Sequence, residues 1–464
     1  MKSLIAAIDL GTTNIVFMVG EKIAGQIKIV ACSKVPSRGI MRGDVVNIQN
    51  VLESIMPAKQ EIESAIGYKI NEVFISVSGQ YVKCSSRSVE KQRENPDNII
   101  TAGEIEAITR EMYAASEGEF VLHAIPQSYN IGDFLGITNP VGMTGESISA
   151  SFNLFTCRAN SINLSKNVIA RGELVTKGLV LESFATAKAV ASADEAELGV
   201  AVVNIGGGTT DILILEDKIV RYAAVIPFGG NSITEDIKTG CSVTGSIAEQ
   251  IKTEYGSCMS NYAPNKTIMI PGMAGVEQTG VSFKCVADII GARLEEILEA
   301  VRYEIEQSGY YNKLKAGVIL TGGSSNIGNI IQLSKIVLGL NTRIGTISNT
   351  INCSDIYTAM DSSYATAIGL IVAGFEQMER EDTIYNTATK IDYNLFGEEQ
   401  PAEGEKKGET GANSTEVAGN NADVQSEKKE KDEKKKEKKK KSGFSIKNIF
   451  KQIKDNEMFK ENEA

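Results

Sequence analysis

Short apolar runs along the chain are punctuated by Gly, Thr and Asp, most sharply in Ala201–Leu215, AVVNIGGGTTDILIL. An apolar run ends at Asn204, Gly206, Gly207 and Gly208 follow, then Thr209, Thr210 and Asp211, and a second run leaves through Ile212–Leu215. Two β-prone runs joined in this way predict a hairpin. Residues 4–19, LIAAIDLGTTNIVFMV, repeat the pattern: a strand ends at Asp9, Gly11 permits a tight turn, Thr12 and Thr13 follow, and a second strand departs. Further strands are expected at Ile27–Val35, Val73–Val77, Phe120–Ile125, Ser128–Ile131, Val180–Ser183 and from Val318 onward. Helical spacing marks 51–66, with Val51, Ile55, Ala58, Ile62 and Ile66 on one face. Helices are also predicted at 102–115 (opened by a Thr101/Glu104 capping box), 163–177, 186–193, 244–256, 286–308, 327–338 and 364–378. The class is α/β, mixed sheets with helices on their faces.

Glycine frees a turn from the Cβ constraint, so successive N–H groups can converge on an anion. Threonine hydroxyls add donors, and Asp9 and Asp211 could hold a hydrated cation. Each turn alone is equally a plain glycine-rich hairpin. Two copies about two hundred residues apart imply two homologous lobes, whose facing turns would clamp one polyphosphate. A third piece, Val318–Ser325, is a buried-type strand ending in Gly322, Gly323 and Ser324, where the backbone could pass close to a flat base or ribose.

These three motifs in order resemble the two phosphate loops and the adenosine loop of the actin superfamily. Within it the chain resembles the FtsA family of bacterial cell-division proteins. The further segments are Pro36–Ile40 with Arg42-Gly43 and Val46–Ile48, Ser76–Gly79, His123–Gln127 and Tyr364–Gly369. The resemblance implies an actin-like two-lobed fold of duplicated ribonuclease-H-like domains, with inserted subdomains and a disordered C-terminal tail. It implies ATP and Mg2+ as ligands, self-assembly, other division proteins as partners, and attachment to the cytoplasmic side of the inner membrane at the division site. Glu249 and Lys252, one turn apart, match an acid and a lysine that contact the nucleoside, beside the plainer reading of an exposed intrahelical ion pair. Arg293 falls where the family presents a basic residue to the tail of the tubulin-like FtsZ, or is simply a solvated arginine.

The expected organisation is a first lobe of 1–84 and 161–198 carrying an inserted small domain at 85–160. A second lobe of 199–226 and 300–382 carries a nucleotide and partner subdomain at 227–299. His123 lacks acid or thiol partners in sequence and reads as structural. Asn204 departs from the superfamily, where aspartate is common. Asn keeps hydrogen bonding but cannot act as a base, so slow or negligible ATP turnover is expected.

At 464 residues with 42% apolar content the chain can build two or more cores. Residues 383–464 carry 17 acidic and 17 basic side chains, so the whole net charge of −11 sits on the body, which argues against nucleic-acid binding. Seven widely spaced cysteines without a CxxC pair read as reduced thiols of a cytoplasmic protein. The N-terminal apolar stretch stops at Asp9, too soon for a signal peptide. Residues 383–441 read as a disordered, charged linker, polar and then lysine-dominated. In 442–460, Ile446, Ile449, Phe450 and Ile453 form one apolar stripe after Phe444, flanked by Lys447, Lys451 and Lys454. Such a basic amphipathic helix fits an anionic membrane surface. A kinase on the same fold would need a base that Asn204 does not supply. A chaperone would need a large β-rich domain, and a pilus-assembly adaptor would share the small insertion but not the basic terminus.

Overall fold

The computed structural model describes residues 4–114, 118–270, 279–348, 351–352 and 361–387. The first hairpin is β1 (Leu4–Leu10) and β2 (Asn14–Ile23), extended by β3 (Gln26–Pro36) into an antiparallel meander. A small ribbon, β4 (Ile40–Met41) and β5 (Asp44–Val45), leads to α1 (Ile48–Ile66). The α1 stripe Val51, Ile55, Ala58, Ile62 is buried as the spacing predicts. Asn47 caps the helix by accepting from Asn50 N–H, a contact worth about 1 kcal/mol, and Gly67 ends it at φ 82°. β6 (Glu72–Val77) returns parallel to β1.

The chain then leaves for a second sheet. It is built from β7 (Lys83–Gln92), β8 (Glu119–Ile131), β9 (Phe134–Ile137) and β10 (Ser147–Arg158), in the order β7-β10-β8-β9. α2 (Ala102–Met112) carries the expected capping box, and its Ile108 and Met112 join Val121, Tyr129, Ile131 and Phe152 in a separate core. Two strands expected at 120–125 and 128–131 are one. The ladder runs through Pro126 because the chain bulges at the next residue, Gln127, and proline is tolerated beside a bulge. Entry and exit of this insertion lie side by side, with the Arg158 guanidinium stacked 3.2 Å from the Tyr81 ring.

The chain re-enters through α3 (Ala159–Arg171), β11 (Val175–Leu181), α4 (Glu182–Val190) and α5 (Ala193–Leu198). The helix expected to run to Lys177 stops six residues earlier. Gly172 and the positive φ of Glu173 (57°) end it and release a strand. The strand expected at 180–183 therefore begins earlier, and Glu182 is already helical.

The second lobe opens with β12 (Val200–Ile205), β13 (Thr210–Glu216) and β14 (Ile219–Ile226). α6 (Gly230–Gly240) and α7 (Gly245–Tyr255) follow, then the ribbon β15 (Thr267–Ile270) and β16 (Thr279–Ser282), and α8 (Phe283–Gln307). β17 (Gly317–Thr321), α9 (Ile330–Leu338) and β18 (Thr342–Ile344) complete it; β19 (Ile351–Asn352) then pairs with β3 of the first sheet, and α10 (Ala365–Thr387) packs on β1 and β2. The border expected between 299 and 300 falls inside α8.

The two main sheets are topological copies. One runs β11-β6-β1-β2-β3 with β19 added at its edge, the other β18-β17-β12-β13-β14. In each, the glycine hairpin occupies the centre and a parallel strand flanks it. The repeat read from two turns thus extends through five strands of each lobe.

α4 and α10 cross between the lobes at very short range. A Cβ on Gly369 would lie 1.7 Å from the Ala185 carbonyl oxygen, and Thr186 and Thr366 share a buried hydroxyl hydrogen bond of 2.9 Å. Gly369→Ala is therefore expected to cost about 1–3 kcal/mol through overpacking. Gly245→Ala, which meets nothing within 4 Å, should leave stability unchanged or slightly higher. Equal melting temperatures for the two variants would contradict this crossing.

Candidate functional site

The two glycine–threonine turns meet. A Cβ on Gly207 would lie 1.8 Å from Thr13 Oγ1, and one on Gly208 2.6 Å from Thr12 Oγ1. Only glycine lets the second turn approach the first so closely. Gly11 is equally constrained, since its Cβ would fall 2.4 Å from the Asn14 carbonyl oxygen. The start of α6 seats on the second turn: Gly230 N–H donates to Gly206 O and Asn231 N–H to Gly207 O, both at 2.8 Å. Asn231 Oδ1 also accepts from Thr13 Oγ1 at 3.2 Å, bridging the lobes. Thr209 and Thr210 are buried, and Thr210 Oγ1 donates to Phe228 O.

The third motif closes on the same place. Gly322 has φ 87°, and a Cβ there would lie 2.4 Å from Asn204 Oδ1. Ser324 Oγ would lie 2.4 Å from a Cβ on Gly230, with Lys252 Nζ 3.4 Å from that point. Among the described residues a Cβ on Gly323 meets nothing within 4 Å, which leaves room for a flat group. Lys252 is buried; its Nζ pairs with Glu249 Oε2 at 2.7 Å and donates to Thr234 Oγ1 at 2.8 Å and Gly230 O at 3.1 Å. The Glu249–Lys252 pair is thus an intrahelical ion pair and also part of this wall.

Beneath the turns lies a floor of buried acid. Asp9 Oδ1 accepts from Ser76 Oγ at 2.8 Å, and Asp211 Oδ1 accepts from Ser78 Oγ at 2.7 Å. Asp211 Oδ2 is buried and has no hydrogen-bond partner among the described residues. Glu182 Oε1 accepts from Asn204 Nδ2 at 2.7 Å. Burial pushes the carboxyls of Asp9 and Asp211 up to about 6, and the charge of Asp9 adds to the shift at Asp211. Burial, then the charges of Asp211 and Asp9, hold Glu182 well above the usual carboxylate range. Among the described residues no three His, Cys, Asp or Glu side chains form a direct metal cage. An orphaned carboxylate oxygen beneath two touching glycine–threonine turns therefore fits a cation held through its own water, together with a phosphate chain.

Glu182, Ser76, Ser78, Thr234 and Asn231 were not among the expected site residues. Ser76 and Ser78 had a signal: period-two spacing at the carboxyl end of a strand puts both on one face. Glu182 had a weaker one, an acid at a strand-to-helix junction. Arg293 stands apart from this cluster, on α8. It is not a freely solvated arginine, because Asp236 holds its Nε and Nη2 at 2.5 and 3.0 Å and Glu296 holds Nη1 at 2.6 Å. Phe444, Ile446, Lys447, Ile449, Phe450, Lys451, Ile453 and Lys454 lie outside the described residues.

Comparison with known proteins matches residues 201–369 to the family model "Cell division protein FtsA" and residues 79–156 to "SHS2 domain inserted in FTSA". The chain is similar to the cell division protein FtsA of Pseudomonas aeruginosa, with 31% identity over 379 residues, 81% of this chain and 90% of that one. FtsA of Escherichia coli K12 gives 29% identity over 391 residues, 81% and 91% of the two chains. Among solved structures, the "PilM-PilN type IV pilus biogenesis complex" matches with a TM-score of 0.57 at 15% identity, covering 80% of this chain and 98% of that one. That likeness is one of fold, the actin-like two-lobed architecture.

The acid floor makes a pH prediction. A carboxyl at about 6 in the fold against an ordinary 3.8 binds its proton more tightly folded than unfolded. The stability this confers is fully present below about pH 4 and is lost as pH rises through about 6. In EDTA, Asp211→Asn should thus raise the melting temperature at pH 7.5 and flatten its fall between pH 5 and 7.5. Melting curves of parent and variant that stay parallel across this range would rule out the buried charge as its source.

Proposed function

The chain belongs to the FtsA family of cell-division proteins, and from that premise we propose that it is an ATP-binding, actin-like protein that assembles with itself and tethers FtsZ filaments to the cytoplasmic face of the cell membrane at the division site. The observation that carries the nucleotide part is the contact of the two glycine–threonine turns above buried acids. The turns supply N–H and hydroxyl donors to the phosphates, and Asp9 and Asp211 accept bonds from the waters of a magnesium ion. Gly322, Gly323 and Ser324 receive the nucleoside opposite Glu249 and Lys252. Magnesium would shield phosphate charge, and the protein's own task is to place the nucleotide between two lobes that close on it.

Hydrolysis is a different matter. Asn204 donates its amide to Glu182 and has no basic oxygen of carboxylate strength. ATP therefore acts chiefly as a cohesive element of the closed form. A small-molecule kinase on this fold would need a base at that position. A pilus adaptor shares the architecture, but the relatives similar in sequence are cell-division proteins.

The FtsZ tail and other division proteins are partners by family. Arg293 is our candidate contact for the FtsZ tail, and an acidic segment would have to exchange with Asp236 and Glu296 to reach it. No helix among the described residues is long and apolar enough to cross a membrane. We assign membrane contact to the stripe Ile446, Ile449, Phe450 and Ile453 with Phe444, flanked by Lys447, Lys451 and Lys454, drawn to anionic lipid at about 1 kcal/mol per nearby lysine.

Two measurements check this reading. Calorimetric titration should show MgATP binding that Gly207→Val abolishes, with phosphate release far below the order of 10 per second of an ordinary enzyme. Undiminished binding by Gly207→Val would place the nucleotide elsewhere. In co-sedimentation with anionic vesicles the parent should pellet and an Ile449→Glu, Phe450→Glu variant should stay in solution. Equal pelleting would dispose of the anchor.

A further inference from the structure

One strand of the inserted domain touches both the start of α4, next to Glu182 of the cleft floor, and the edge of the second lobe. It does so through two residues of His123-Ala124-Ile125-Pro126-Gln127 that the nucleotide reading leaves unused. The His123 ring stacks on Phe184 of α4, centroids 4.4 Å apart and planes 15° from parallel. Its Nε2 accepts from Leu181 N–H at 3.1 Å. Burial pushes the imidazole down to about 3, so the ring is neutral and its lone pair is available to accept. Leu181 directly precedes Glu182, whose carboxylate takes the bond from Asn204 in the cleft.

Gln127 lies four residues on. Phe152 pairs with Pro126 and Ser151 with Ser128, so Gln127 bulges out of the ladder. Its amide donates to Val220 O at 3.0 Å, and its Oε1 accepts from Arg221 Nη1 at 3.2 Å. Asn153 of β10 donates to Arg221 O at 2.7 Å. Among the described residues β14 ends the second sheet and pairs with β13 alone, and its carbonyls at Val220 and Arg221 are met by side chains of the insertion.

We propose that β8 couples the inter-lobe site to the inserted domain, with His123 and Gln127 as positioning residues. His123 holds the start of α4, where Glu182 enters the cleft. Gln127 holds β14, which turns with the second lobe. Both grips sit on one paired strand, so they are satisfied together for one placement of the lobes and strained for others. A ligand that favours that placement then also favours a seated insertion, and the effect is reciprocal. The inference rests on the nucleotide reading for the identity of the ligand.

Amide hydrogen exchange of the full chain, with and without saturating MgATP, tests it. In the parent, MgATP is expected to slow exchange across β7, β8 and β10 by at least about fivefold, the lower end of ordinary coupling. His123→Phe, which keeps the stacking but removes the acceptor, and Gln127→Leu should each lose that difference while still binding MgATP. His123→Gln, which restores an acceptor, should recover part of it. Binding by the parent without slowed exchange, or slowing retained in both variants, overturns the coupling alone. Calorimetry showing no MgATP binding by the parent overturns the nucleotide reading and the coupling with it. Should His123→Phe fail to fold, Gln127→Leu with Asn153→Leu decides the matter.

Discussion

Carboxylates buried together at the bottom of a cleft repel one another and resist losing their water. Asp9, Asp211 and Glu182 do this here, with Asp211 Oδ2 left unpartnered among the described residues. The arrangement is costly for the free protein. The glycine turns stand directly above this floor. The magnesium–nucleotide pair that we propose would bring positive charge to the acids and phosphate oxygens to the turns together.

Duplication explains how one chain obtains such a place. Each lobe presents its hairpin turn at the same end of the same five-strand topology, so two copies facing each other form a clamp without a new fold. The copies then diverged. The first turn has one glycine and packs as a tight bend, whereas the second has three and slides beneath Thr12 and Thr13. Asp9 keeps its charge while its counterpart Asn204 has lost it and instead serves as a donor to Glu182.

Most of the fold was legible because its signals are local. Hairpins, the α1 stripe and the Thr101 cap depend on neighbours within a few residues. The site residues lie in those signals, and the structure brings Asp9, Thr12, Thr13, Gly206–Asp211, Lys252 and Gly322–Ser324 into one cleft. What stayed hidden is set by tertiary contact. Glu173 takes a positive φ that no propensity announces, which moved the end of α3 and the start of β11. Two strands are expected at 120–125 and 128–131, but the bulge at Gln127 lets one strand run through both. Glu182 looks like any surface glutamate until the lobes close around it. Arg293 reads as solvated because its partner Asp236 is far off in sequence.

The stacked pair Tyr81 and Arg158 has a mechanical corollary. The insertion is joined to the first lobe by two chain segments running alongside each other, β-paired from Lys83 opposite Thr156 outward. With the His123–Phe184 stack and the bonds of Gln127 and Asn153 to β14, this joint anchors the insertion at several points, so the face it turns outward is set by the placement of both lobes and not by the joint alone.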